Sequence, residues 1–143
     1  MAKGRIPQAA SERNDALISS LLDGSDKAMS AYDIIEALYP HGISSPPTVY
    51  RSLARLVAKG LVHRVESLNA FVSCKTHTHA PNVEALFAIC KDCGKITEFS
   101  DSEVAERMRA WARENSFKIE HTALELRGSC SRCADASVPH TRK

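Results

Sequence analysis

Phe87-Ala88-Ile89-Cys90-Lys91-Asp92-Cys93-Gly94 is a short apolar run that ends in a Cys-x-x-Cys knuckle, and Cys130-Ser131-Arg132-Cys133 repeats the knuckle 37 positions after Cys93. Two thiolate pairs at this spacing can supply the four sulfur ligands of a tetrahedral zinc, each pair turning tightly round the ion. Gly94 suits the positive φ that such a turn often needs. The gap between the pairs is wider than in a compact zinc ribbon, so the metal closes whatever folds there into a loop. A redox dithiol needs only one such pair, usually at a strand-to-helix junction. Two unlinked buried pairs are the other alternative. The duplicated motif favours metal, with Cys90, Cys93, Cys130 and Cys133 as one structural zinc site.

The 143 residues suffice for one ordinary domain or two small ones, and 43% hydrophobic with 25% charged residues is the balance of a soluble globular protein. No apolar run approaches the ~20 residues of a membrane span, and the N-terminus lacks the apolar stretch of a signal peptide. The expected location is therefore the cytoplasm, where five cysteines read better as ligands than as disulfides. Five is odd, so Cys74 has a task outside the two pairs. The net charge of +2 does not announce a nucleic-acid binder; that reading must rest on local pattern.

Upstream, residues Met1 to Ala10 read as a basic arm. Ser11 is placed to cap a first helix with Leu17, Ile18, Leu21 and Leu22 on one face and Gly24 past its end. Ser30 with Asp33 forms a capping-box pattern for a second helix, whose apolar face is Ile34, Ile35 and Leu38. A third helix runs from Pro46-Pro47 to Gly60, with Val49, Leu53, Leu56 and Val57 facing the core. Arg51, Arg55 and Lys59 recur every four residues on its other side. A helix packed on one side and cationic on the other suits the DNA major groove, although an ordinary solvated face has the same pattern. Leu61–Ser67 and Ala70–Cys74 then read as two strands joined by a tight turn at Leu68-Asn69. Three helices followed by a hairpin make a winged helix-turn-helix.

A hinge is expected over 75–84. Beyond it come a strand at Ala85–Ile89, a second at Lys95–Phe99 and a capping box at Ser100–Glu103. The helix behind that box has Val104, Met108 and Trp111 on one face; a long strand, Phe117–Leu126, and a polar tail, Ala134–Lys143, follow. The overall expectation is an α+β chain. A winged-helix domain spans 1–74 and a small α/β domain spans 85–143, with a zinc-stapled three-stranded sheet. A unit of that size usually needs a metal staple or a partner subunit.

The chain resembles the ferric uptake regulator family, and within it the zinc uptake regulator branch. The residues that carry the likeness are Ser30-Ala31-Tyr32-Asp33, Pro47-Thr48-Val49-Tyr50-Arg51, His63-Arg64-Val65-Glu66-Ser67 with Asn69 and Cys74, and the two cysteine knuckles. The resemblance implies a homodimer that binds double-stranded operator DNA and represses metal-uptake genes when metal is bound. The same likeness implies a regulator and not an enzyme, with no small-molecule substrate and no membrane partner. The DNA-contacting candidates are Tyr32 and Arg51, with Thr48, Tyr50 and Arg55 on the same helix as Arg51.

The family's pattern and metal chemistry together give Cys74 a role. His63 on the opposing strand, Cys74, Glu98 and a hinge histidine form a mixed N, S and O set that suits zinc, and a thiolate argues against a hard cation. The implied complement is one structural and one regulatory Zn²⁺ per subunit. The hinge ligand is assigned to His79, with His77 as the alternative. Both lie farther upstream of Cys90 than the family's histidine cluster, and position 87 is Phe. A third site would pair His77 with His121 and an acid such as Glu103 or Glu106, although a partly buried structural His121 is the simpler reading. Family members that sense iron, manganese or peroxide are the alternative class. In a catalytic zinc enzyme the ion would need an open position, which four protein ligands fill.

Overall fold

The computed structural model describes residues 8–75, 86–120 and 122–137. The chain divides into two units, residues 1–77 and 78–143. In the first unit α1 (Gln8–Asp23), α2 (Ala31–Leu38) and α3 (Pro46–Ala58) precede a hairpin of β1 (Val62–Val65) and β2 (Ala70–Ser73). Ser30 and Asp33 open α2 as the sequence predicts. The Ser30 hydroxyl accepts from the Asp33 N–H at 3.1 Å, and the Asp33 carboxylate accepts from the Ser30 N–H at 2.9 Å. After α2 a 3₁₀ turn, Tyr39–His41, stops at Gly42, whose φ of 86° no β-carbon obstructs. Pro46 and Pro47 start α3 where a missing N–H costs nothing.

The apolar faces of the three helices close on one core. Ile18 and Leu22 of α1, Ile34 and Leu38 of α2, and Val49, Leu53 and Leu56 of α3 are all buried, joined by Val62 and Phe71 from the hairpin. Each such side chain contributes about 1.5–3 kcal/mol by leaving water. Val57, expected in this core, is 40% exposed, because it lies at the edge of the face that Leu53 and Leu56 centre. Met29 and Phe71 exchange backbone hydrogen bonds of 2.9 and 2.8 Å, which fastens the hairpin to the chain entering α2.

The hairpin corrects one expectation. Val65 pairs with Ala70 and His63 with Val72, so the connection is residues 66–69 and not a two-residue turn. A 3₁₀ turn, Glu66–Leu68, and a left-handed Asn69 (φ 46°) make that connection. Helix α1 also starts at Gln8, so Ser11 lies inside it and does not cap it; Ala9 and Ala10 are strong helix formers.

One ion pair is built into the helical unit. Arg55 Nη2 donates to Asp15 at 2.8 Å and Nε at 3.0 Å, and Nη2 also donates to the hydroxyl of fully buried Ser52 at 3.0 Å. Burial alone would raise the Asp15 pKa. The hydrogen bonds from Arg55 and Ser52 outweigh it and hold the carboxyl below its ordinary range. Arg55 is correspondingly pushed up, chiefly by its hydrogen bond to Asp15.

The second unit has a three-stranded sheet in the order β4-β3-β5, with β3 (Leu86–Cys90) in the centre. β4 (Ile96–Phe99) pairs antiparallel with β3, and β5 (Leu124–Gly128) pairs parallel after the crossover helix α4 (Ser102–Glu114). Asp101, and not Ser100, caps α4: its carboxylate accepts from the N–H groups of Glu103 and Val104 at 2.9 and 3.0 Å. The buried face of α4 is Ala105 and Ala112, with Val104 and Met108 half-buried and Trp111 56% exposed. The expected long strand is shorter and later than predicted, beginning only at Leu124. Ala134 to Ser137, expected in a tail, belong to α5 (Ser131–Ser137). The hinge beyond Lys75 lies outside the described residues. Among the described residues no helix is long and apolar enough to cross a membrane.

Asp15 ionises more readily in the fold than in the unfolded chain. Its stabilisation is therefore complete above the ordinary carboxyl value of 3.8 and is lost as pH falls through the lower folded value. Asp15→Asn is expected to cost about 1–2 kcal/mol at neutral pH, discounted for the partial exposure of Arg55. Urea unfolding of both proteins at pH 7 and near pH 3 checks this: the gap should shrink in acid, and a constant gap would place the effect elsewhere.

Candidate metal centre and nucleic-acid interface

Parallel pairing decides where the cysteines meet. Cys90 at the end of β3 pairs in register with Gly128 at the end of β5, so the chain leaving β5 delivers Cys130 beside it. The Lys91 N–H donates to the Gly128 carbonyl at 2.8 Å, and the Ser129 hydroxyl donates to the Asp92 carboxylate at 2.6 Å. That bond, then Lys91, holds the Asp92 carboxyl below its usual range. Gly94 turns the first knuckle at φ 75°, its N–H donating to the Cys90 carbonyl at 3.0 Å. The first turn of α5 turns the second knuckle, with the Ala134 N–H on the Cys130 carbonyl at 2.8 Å.

The sulfurs of Cys90, Cys93, Cys130 and Cys133 all lie within 4.8 Å of one another. Cys93 and Cys130 are 3.8 Å apart, too far for a disulfide. That separation fits the edge of a ZnS₄ tetrahedron, about 3.8 Å for Zn–S bonds of ~2.3 Å. The Cys130 N–H donates to Cys90 Sγ at 3.3 Å and, with the N–H groups of Cys93 and Asp92, lowers that thiol to about 6. Cys133 is pushed up to about 12, mainly by its hydrogen bond to Cys130. Cys90 is thus biased toward the thiolate form that a soft dication takes as a ligand. These four residues fit a zinc ion.

His63 and Cys74 also come together. The Cys74 N–H donates to the Leu61 carbonyl at 2.9 Å, which continues the hairpin register and places Cys74 diagonally across from His63 on the same face. Their ligand atoms lie within 4.8 Å of each other, with Cys74 fully buried and His63 half-buried. The four-residue connection replaces the directly opposed pair that a two-residue turn would have made. Glu98 is half-buried on β4, paired with Phe87 of β3. His77, His79 and His121 lie outside the described residues. Of the acids considered for a third site, Glu106 is held by Arg113 at 2.8 Å and Arg109 at 3.5 Å, while Glu103 is exposed in the first turn of α4.

On the helical unit Tyr32 (69% exposed), Tyr50 (46%) and Arg51 stand out from the core, with Thr48 half-buried. Arg55, grouped with Arg51 by spacing, departs from that pattern: its guanidinium is committed to Asp15 and Ser52. Sequence reasoning missed Asp15, whose spacing to Ile18 and Leu22 marks a carboxylate on an apolar helix face.

The family model described as "Ferric uptake regulator family" matches residues 9–127. The zinc uptake regulation protein of Escherichia coli (strain K12) is 35% identical over 122 residues, covering 85% of this chain and 69% of that one. A zinc uptake regulator solved in complex with zinc and DNA superposes with a TM-score of 0.81 at 31% identity, covering 86% of this chain and 82% of that one. The holo form of XcZur superposes with a TM-score of 0.74 at 34% identity, covering 85% and 84%.

Cys93→Ser leaves three sulfurs where a tetrahedral ion needs four. It is expected to lose the tightly held zinc and, with it, much of the second unit's resistance to heat. Metal analysis and a thermal melt measure both; a variant that keeps its melting temperature with no zinc bound would show that the cluster is not a structural metal site.

Proposed function

From a chain that belongs to the ferric uptake regulator family, we propose a zinc-responsive transcriptional repressor of zinc uptake genes that binds an AT-rich palindromic operator as a homodimer. The observation that carries the zinc reading is the pairing of His63 with buried Cys74 at the end of the hairpin. An imidazole and a thiolate select a borderline-soft ion such as Zn²⁺ over manganese or magnesium. In this reading Glu98 and His79, with His77 as the alternative, complete the regulatory site. The four knuckle cysteines hold a second, structural zinc, giving two per subunit. Winged-helix domain 1–74, hinge 75–84 and dimerisation domain 85–143 are the working parts.

The reader in this proposal is α3. Arg51 contacts operator bases or phosphates, with Tyr32, Thr48 and Tyr50 around it. The dimer is supported by the apolar surface of the second unit, where Trp111, Phe117 and Leu126 are each more than half exposed. Trp111 and Phe117 pack on each other with ring centroids 5.6 Å apart. Aromatic surface of this kind marks an association face.

Two winged heads on flexible hinges sample many separations, and only those matching the half-site spacing reach both grooves together. A site drawing ligands from wing, hinge and core narrows that sampling, so affinity for DNA rises through preorganisation. Linkage then requires operator DNA to tighten zinc binding by the same factor, with ~1–3 kcal/mol ordinary for such coupling.

Two measurements test this. A zinc titration of operator binding at fixed salt is expected to show a response in wild type and none in Cys74→Ser, which stays folded with its structural zinc; equal responses would remove Cys74 from the switch. Arg51→Ala is expected to weaken operator binding by roughly 1–3 kcal/mol, the scale of one bidentate base contact, at unchanged zinc content. Wild-type affinity in that variant would mean that α3 is not the reader.

A further inference from the structure

Arginine four residues after Arg51 would ordinarily be a second hand on the phosphate backbone. Here Arg55 turns inward. Both Nε and Nη2 reach the Asp15 carboxylate, at 3.0 and 2.8 Å, and Nη2 also reaches Ser52, which is fully buried. Asp15 itself is only 8% exposed. Leu53 and Leu56 turn one face of α3 toward Ile18 and Leu22, but apolar burial is non-directional and fixes the roll of that face only coarsely. A guanidinium fork on a carboxylate is directional in two bonds at once.

We propose that Asp15, Arg55 and Ser52 form a positioning device that fixes the roll of α3 on α1, and that Arg55 neutralises no phosphate. The tip of a side chain lies roughly 6 Å from its helix axis, so a roll of ~30° moves it by about 3 Å, the length of a hydrogen bond. Without the fork, Thr48, Tyr50 and Arg51 would meet the groove over a spread of angles. Specific binding would suffer while charge-driven binding to any duplex would not. The inference rests on the reading of α3 as the DNA-contacting helix.

The test uses full-length, zinc-loaded protein and fluorescence anisotropy. The probes are a fluorescein-labelled duplex selected from a random pool by the wild-type protein and a scrambled duplex of the same composition, each titrated over a range of KCl. Asp15→Asn is expected to weaken binding to the selected duplex about tenfold, although it removes a negative charge from a DNA-binding unit, and to change scrambled binding less than twofold. Arg55→Lys keeps the charge but not the fork and is expected to lose a similar factor. Arg55→Met is expected to match it, with the slope of log K against log salt unchanged.

Tighter binding by Asp15→Asn, near-wild-type binding by Arg55→Lys, or a slope shallower by about 0.9 in Arg55→Met would make Arg55 a phosphate contact and overturn the proposal. Equal losses on both duplexes would overturn it too, as loss of folded protein and not of orientation. Should Asp15→Asn fail to fold, the Arg55→Lys comparison decides alone. Arg51→Ala, run alongside, separates this from the underlying reading: wild-type affinity there would mean that α3 does not read DNA.

Discussion

In the second unit most of the architecture follows from the parallel pairing of β3 with β5. Parallel neighbours end at the same edge of a sheet, so the chain leaves β3 at Cys90 and β5 at Gly128 on one side. An antiparallel partner would have delivered the two knuckles to opposite ends, and no four-sulfur cluster could form. Parallel pairing in turn requires a crossover long enough for a helix, which is why α4 lies between the knuckles. The buried apolar side chains there, among the described residues, are few: Leu86, Phe87, Ile89, Ala105 and Ala112, besides Cys90. A sheet with so little core gains most from a clip that closes a long loop, and four thiolates on one ion are such a clip.

What the sequence made legible was whatever is decided locally. Ser30 and Asp33 satisfy each other within one helical turn, Pro46 and Pro47 remove donors that a helix start would waste, and Gly42 and Gly60 take left-handed angles at helix ends. The cysteine knuckles belong here as well, because each needs only four residues to turn. The misread features depend on partners far along the chain, or on close competition between neighbours. Leu68-Asn69 looked like a two-residue turn, yet Val65 pairs with Ala70, and Phe71 beside it is also bonded to Met29, far back in the chain. Ser100 and Asp101 are both good caps, and it is Asp101 whose carboxylate meets the N–H groups of Glu103 and Val104. Arg55 shares helical spacing with Arg51, but its partner is 40 residues away, beyond the reach of any periodicity.

The candidate sites divide the same way. Four cysteines in two knuckles favour one grouping over a redox dithiol or two unlinked pairs. His63 and Cys74 are single residues whose meeting depends on hairpin register, and the four-residue connection moved Cys74 to a diagonal without separating the pair. A shift of one residue would have sent the two side chains to opposite faces, since strand parity has period two. Their agreement with the expectation therefore rested on parity, which two different turns preserve.

The first unit ties its metal-binding candidates and α3 to the same strut. At the C-terminal end of α1 the Asp23 carboxylate accepts from the Ser73 hydroxyl, and its carbonyl accepts from Lys75 Nζ at 2.9 Å. These two contacts grip the residues on either side of Cys74. Two turns earlier Asp15 grips Arg55 of α3. A helix fastened at both places leaves little room for the wing's end and α3 to move against each other, because packed interiors deform in discrete steps and not continuously. On the proposed function, then, zinc at His63 and Cys74 has little scope to reshape the reader. Its remaining lever is where the whole unit is held, which is the quantity that simultaneous docking of two heads on a palindrome depends on.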